Sequence, residues 1–177
     1  TFSRSSYGMF LVSFTTLALI LKSFRLQILT VLLFAGLIFS FSLYSRLISL
    51  PRNIDRGASA SFRITTWTQG WQLFEKHPIL GVGFNAYRYA IKEYKLGDEQ
   101  FLTNHGSGSN DASLLFVAST TGIIGLFSFL FFLFSLSKNR LMIPALTGLL
   151  FHSIFTNSLF FPPILLWIVL TSGVPKK

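Results

Sequence analysis

The chain has 177 residues, 51% hydrophobic and only 12% charged, and its 15 Lys and Arg against 6 Asp and Glu leave a net charge of +9. A soluble domain of this size would have to leave extensive apolar surface in water, so the balance points to an integral membrane protein, and the basic excess points to membrane orientation and lipid head groups rather than a nucleic-acid partner. With no cysteine, a disulfide framework and a thiolate zinc site are both excluded.

The first residue is Thr1, and no basic region followed by a short apolar core and cleavage site opens the chain, so it does not read as a signal peptide. The first apolar run begins near Tyr7, which suggests the C-terminal part of a longer protein. Apolar runs cover 7–21, 26–44, 113–136, 141–155 and 159–171. The runs 26–44 and 113–136 are near the ~20 residues a helix needs to cross a bilayer, and the set predicts four spans and a shorter fifth interrupted by Pro162 and Pro163. A re-entrant or kinked hairpin around Asn157 fits the last two runs equally well. Lys22 and Arg25, Lys138 and Arg140, and Lys176 and Lys177 mark three short basic connections, which would be cytoplasmic. The expected fold is all-α, a polytopic transmembrane bundle with a large extracytoplasmic loop: two spans in 1–44, the loop in 45–111, and two or three spans in 112–177.

That loop holds every acidic residue of the chain. In it, 62–76 has helical periodicity, with Ile64, Trp67, Trp71 and Phe74 on one stripe and Ser59 or Ser61 available as N-cap, the pattern of a helix at the membrane interface. The run His77-Pro78-Ile79-Leu80-Gly81-Val82-Gly83 stops it. Gly81-Val82-Gly83-Phe84-Asn85-Ala86 formally matches a dinucleotide fingerprint, but it follows a proline turn with no room for a βαβ unit, so a tight turn back to the membrane is expected. Tyr87, Ala90, Ile91 and Tyr94 form a second short stripe, with Arg88, Lys92 and Lys95 opposite. From Gly97 to Asn110 the Gly, Ser, Asn and Asp content predicts a mobile loop. Beyond it, Gly122 and Gly125 read as helix-packing positions, and His152, Ser153, Thr156 and Asn157 as an intramembrane polar patch for interhelical hydrogen bonds.

Several segments, taken in order, resemble the C-terminal half of the O-antigen ligase and O-antigen polymerase-like membrane glycosyltransferases. They are Thr1-Phe2-Ser3-Arg4-Ser5 before a span, Arg63-Ile64-Thr65-Thr66-Trp67 and His77-Pro78-Ile79-Leu80-Gly81-Val82-Gly83-Phe84 in the loop, and the run ending Thr121-Gly122-Ile123-Ile124-Gly125. The resemblance implies a metal-independent, inverting transfer of a glycan from an undecaprenyl-pyrophosphate carrier to a lipid or saccharide acceptor hydroxyl, on the outer side of the plasma membrane and without a cofactor. By motif, Arg4 and Arg63 would hold the pyrophosphate. The family's His-Asn pair, counted back from Gly122, falls here on Asp111-Ala112. Asp111 would then serve as base, or His105 on the flexible loop would supply an imidazole, or transfer activity has been lost.

The residue chemistry fits these roles alongside plainer ones. Guanidinium stays charged and donates paired hydrogen bonds to phosphate oxygens, which suits a departing pyrophosphate. Arg63, at the edge of an interfacial helix, would be held at phosphate depth. Both arginines read equally as snorkelling residues at helix ends. Asp111 stands where an N-cap or first-turn acid stabilises a helix by roughly 1 kcal/mol, and a loop histidine in a solvated tract more often has no chemical role. The competing functions are a repeat-unit polymerase, which differs in acceptor, and a transporter or non-catalytic glycan-binding membrane protein.

Overall fold

A computed structural model of the chain describes residues 4–47, 54–97, 108–140 and 142–172. The described residues form helices α1 (Arg4–Ile20), α2 (Phe24–Leu47), α3 (Ile54–Lys76), α4 (Tyr87–Glu93), α5 (Ser113–Leu136), α6 (Met142–His152) and α7 (Pro162–Ser172), with a 3-10 turn at Ser158–Phe160 before α7. There is no strand among them. One helix, α5, is long and apolar enough to cross a membrane, and the apolar parts of α1, α2, α6 and α7 are shorter.

Helix ends follow local chemistry. Lys22 takes a left-handed conformation with φ 49° at the end of α1, and the Ser23 hydroxyl accepts the Leu26 N–H at 3.4 Å to open α2. Pro162 and Pro163 do not interrupt a helix; they open α7, where a missing N–H is harmless and the fixed φ is already helical. The helix expected over 62–76 begins earlier, at Ile54, so Ser59 and Ser61 lie inside it rather than capping it.

α1 and α6 run antiparallel in close contact. A Cβ at Gly148 would meet the Met9 carbonyl and the Ser13 side chain, and one at Gly8 would meet the Phe151 ring. Thr147 Oγ1 donates to Thr16 Oγ1 at 3.1 Å. α5 and α6 form an antiparallel hairpin: Ser113 N–H donates to the Ser153 carbonyl at 2.9 Å at one end, and Leu133 packs with Met142 at the other. The turns carrying Lys22 with Arg25 and Lys138 with Arg140 therefore share one end of the molecule, opposite the start of α5.

Two apolar clusters organise the interior. Leu73, Tyr87, Ala90, Ile91 and Phe116 hold α3 and α4 against the first half of α5. Leu133, Met142, Leu146, Leu149, Leu159 and Ile168 hold α6, the 3-10 turn and α7 against its second half. Phe160 links the two, stacked on Phe129 at 5.6 Å and edge-on to Phe116 at 5.7 Å. Full burial of such side chains is worth roughly 1.5–3 kcal/mol each where water is the alternative.

The loop is consequently more ordered in part than its composition suggests. The stripe of Tyr87, Ala90 and Ile91 is buried as expected. In α3, however, the buried residues are Thr66, Gln69, Gly70 and Leu73, while Ile64 and Trp71 are exposed. α3 runs alongside α5 in the same direction, from Thr66 near Asn110 to Leu73 near Phe116. Its outer face keeps the apolar stripe; its inner face is set by the partner.

Candidate active site

The start of α5 is fixed by a side chain that composition assigned to a mobile loop. Asn110 is fully buried. Its Nδ2 donates to the Thr66 carbonyl of α3 and, at 3.2 Å, to the Tyr87 hydroxyl of α4, while its Oδ1 accepts the Ala112 N–H at 2.8 Å. One amide thus ties three helices together just ahead of α5. Burial, which outweighs the hydrogen bond from Asn110, pushes the Tyr87 phenol up to about 12, so it stays neutral and available as acceptor. Residues 98–107, including His105, lie outside the described residues.

Asp111 follows at once. It does not cap α5: the N-cap is Ala112, which has no side-chain cap bond, and the first-turn Ser113 N–H is taken by the Ser153 carbonyl at 2.9 Å. Freed from that role, the carboxyl is half-buried. Burial raises its pKa above the usual carboxylate range, and the Arg63 guanidinium of α3 opposes that rise. The Thr66 carbonyl bonded by Asn110 lies three residues after Arg63, so Arg63 and Asp111, two of the residues singled out from sequence, come within electrostatic reach across 48 positions of chain.

A third ionisable group joins them. Arg63 also acts electrostatically on His152 at the end of α6. The His152 Nε2 lies 3.5 Å from the Ser6 Oγ in the first turns of α1, and its Nδ1 is buried without a hydrogen-bond partner. Of the expected polar patch, Asn157 bonds between elements, its Oδ1 accepting from Ser113 Oγ at 2.9 Å and joining α5 to the turn after α6, while the Ser153 hydroxyl donates locally to the Leu150 carbonyl at 2.7 Å. Trp67, one turn after Arg63, faces Phe155 at 6.3 Å between ring centres. The backbone of Arg4 begins α1 two residues before Ser6, at this same end of the molecule; its side chain lies outside the described residues. No group of acidic and histidine residues able to hold a metal ion occurs among the described residues.

The lower wall is built by the two glycine-containing motifs in contact with each other. α5 is broken at Gly122, where φ is 65° and ψ is −166°. The carbonyls of Ser119 and Thr120 accept the N–H groups of Val82 at 3.0 Å and Gly83 at 2.8 Å, and the Ile123 N–H donates to the Pro78 carbonyl at 2.8 Å. Gly81 and Gly83 have φ of 67° and 99°, the tight turn expected. Gly122 is more than a packing position, because a Cβ there would strike the Ile79 carbonyl. His77 Nε2 pairs with the Tyr94 hydroxyl at 2.7 Å and fixes the turn to the end of α4.

This arrangement is a basic residue and a carboxylate at the start of the helix that, among the described residues, is long and apolar enough to cross a membrane, above a joint between segments 78–83 and 119–123. A sequence model of the family described as O-antigen ligase matches residues 1–130, a stretch that holds α1 to α4, both glycine motifs, Arg63 and Asp111. The chain belongs to the O-antigen ligase family. Membership supports a role in polysaccharide assembly by glycosyl transfer. No curated protein and no solved structure matches the chain. The residues that sequence reasoning missed are Asn110, hidden by a loop-like composition, and Ser6, which carried no signal beyond its place at the start of a span.

Proposed function

We propose that this member of the O-antigen ligase family is a multi-pass membrane glycosyltransferase that moves a glycan from an undecaprenyl-pyrophosphate carrier to an acceptor hydroxyl, with its site on the outer face of the plasma membrane. The observation that supports the reading is the bond from Asn110 to the Thr66 carbonyl, which ties the turn of α3 that carries Arg63 to the start of α5 next to Asp111. The acceptor oxygen attacks the anomeric carbon while the bond from that carbon to the pyrophosphate oxygen breaks. One displacement of this kind inverts the anomeric centre and asks no metal of the site.

Negative charge grows on the departing pyrophosphate, and Arg63, joined by Arg4 from the first turn of α1, would meet it. The acceptor proton passes to a base. Asp111 suits that step because partial burial makes its carboxylate a stronger proton acceptor than an exposed one; His105 is the alternative base. The orientation is supported by the two basic turns sharing the end opposite the site, because basic connections favour the cytoplasmic side.

Arg63→Ala in the whole membrane protein, supplied with undecaprenyl-pyrophosphate glycan and acceptor, is expected to release carrier at least about 100-fold more slowly, the scale for losing a charge-stabilising donor. Membrane insertion should be unchanged, because Arg63 lies outside the apolar runs. Carrier release at the unsubstituted rate would remove Arg63 from the mechanism.

A further inference from the structure

We propose that the tip of the 78–84 segment, Ile79 and Leu80, is embedded in the acyl chains of the outer leaflet and sets the depth of the site above it. The inference deepens the proposed function and rests on its reading of α5 as a membrane span. The chemical partner is lipid hydrocarbon.

A span needs ~20 residues. Counted back from Leu136, with Lys138 just beyond it, that number reaches about Val117. Gly122 then lies five residues inside the hydrocarbon edge, about 7.5 Å along the helix. A tilt of α5, or the bend at Gly122, uses more residues to cross the same thickness and moves the edge toward Ser113, so Gly122 stays inside. The tip of the segment is pinned to this break by the bonds from Val82, Gly83 and Ile123, so it shares that depth.

Non-helical backbone at such depth requires its polar groups to be satisfied by protein. The bonds at the break satisfy the N–H groups of Val82, Gly83 and Ile123 and the carbonyls of Ser119, Thr120 and Pro78, and the Gly81 N–H donates to the His77 carbonyl at 3.0 Å. The side chains agree: Ile79 is 62% and Leu80 72% exposed, continuous with Ile123, Ile124 and Phe127 on α5. Glu75 and Lys76 stand about one helical turn, or ~6 Å, above the tip, close to the hydrocarbon edge, where charged ends reach the head groups. Ser113 lies four residues above the edge, about 6 Å, and Asp111 just beyond it. Ser113 is thus within the polar layer of roughly 5–7 Å that flanks the hydrocarbon on each side, and Asp111 is at its outer boundary, bordering the layer in which a lipid-linked pyrophosphate sits.

Because the chain has no cysteine, single nitroxide labels at Leu80→Cys, Phe127→Cys and Lys92→Cys in the full-length protein, in phospholipid vesicles, report depth. Leu80 and Lys92 are exposed, so labelling leaves the core intact. The label at Leu80 should resemble that at Phe127, relaxed by oxygen and protected from a water-soluble nickel chelate, while the label at Lys92 is reached by the chelate. If the chelate reaches Leu80 as readily as Lys92 while Phe127 stays protected, the tip lies outside the bilayer; the embedding is then wrong and the span stands. If it reaches Phe127 as well, the span falls and the embedding with it.

Discussion

Asp111 is where the chemistry is most open to test. A general base must be deprotonated, so transfer catalysed by Asp111 falls as pH drops through its pKa. Burial raises that pKa and Arg63 restrains the rise, so the acid limb should begin above the range of an exposed carboxylate. Asp111→Asn should lower the plateau by about 100-fold or more and abolish that limb. A variant that keeps nearly full activity, with an acid limb in the range of an imidazole, would instead identify His105 as the base. Asn110 shows how much at this scale escaped the sequence: Gly, Ser, Asn and Asp runs predict loops because such side chains bond locally, yet one of these amides is buried and bonded to two distant helices.

Among the elements, α5 decides how the loop attaches. The boundaries of α5 are legible in its hydrophobic run; its break at Gly122 is not, because the bonds that replace the missing helical ones come from residues 78–83. Gly122→Ala is expected to destabilise the protein by more than ~2 kcal/mol, combining a side chain at φ 65° with a collision against Ile79. Hydrogen exchange at Val82, Gly83 and Ile123 should accelerate. Gly36→Ala is the control: nothing lies near its Cβ position, so it should be neutral or stabilising by up to ~1 kcal/mol. Equal loss in the two variants would show that the joint contributes little. The apolar stripe of α3 was legible, and Ile64 and Trp71 on it are exposed; the face that packs on α5, with Thr66, Gln69 and Leu73, was not, since periodicity records an apolar face and does not reveal a polar one that meets protein.

Across the whole molecule, the antiparallel pairing of α1 with α6 and of α6 with α5 fixes which connections share an end. Cysteines placed at Lys22 and Lys138 should be labelled from the cytoplasmic side only, and one at Lys92 from the outer side only, by a membrane-impermeant maleimide. Labelling of Lys22 and Lys138 positions from opposite sides would contradict the helix directions. The same pairing puts the first turns of α1 beside the end of α6 through Ser6 and His152, which sets the turn that begins with Arg4 at the same end of the molecule as the start of α5.

The sequence by itself determined the helical class, the position of α5, the polar loop and the family resemblance, because transfer of apolar side chains from water is a local property that a linear pattern records. Tertiary structure alone decided that Arg63 comes within electrostatic reach of Asp111, that Asn110 is interior, and that the two glycine motifs dock at a helix break. Each of these depends on hydrogen bonds or charges between residues tens of positions apart, and no local preference encodes such a partner.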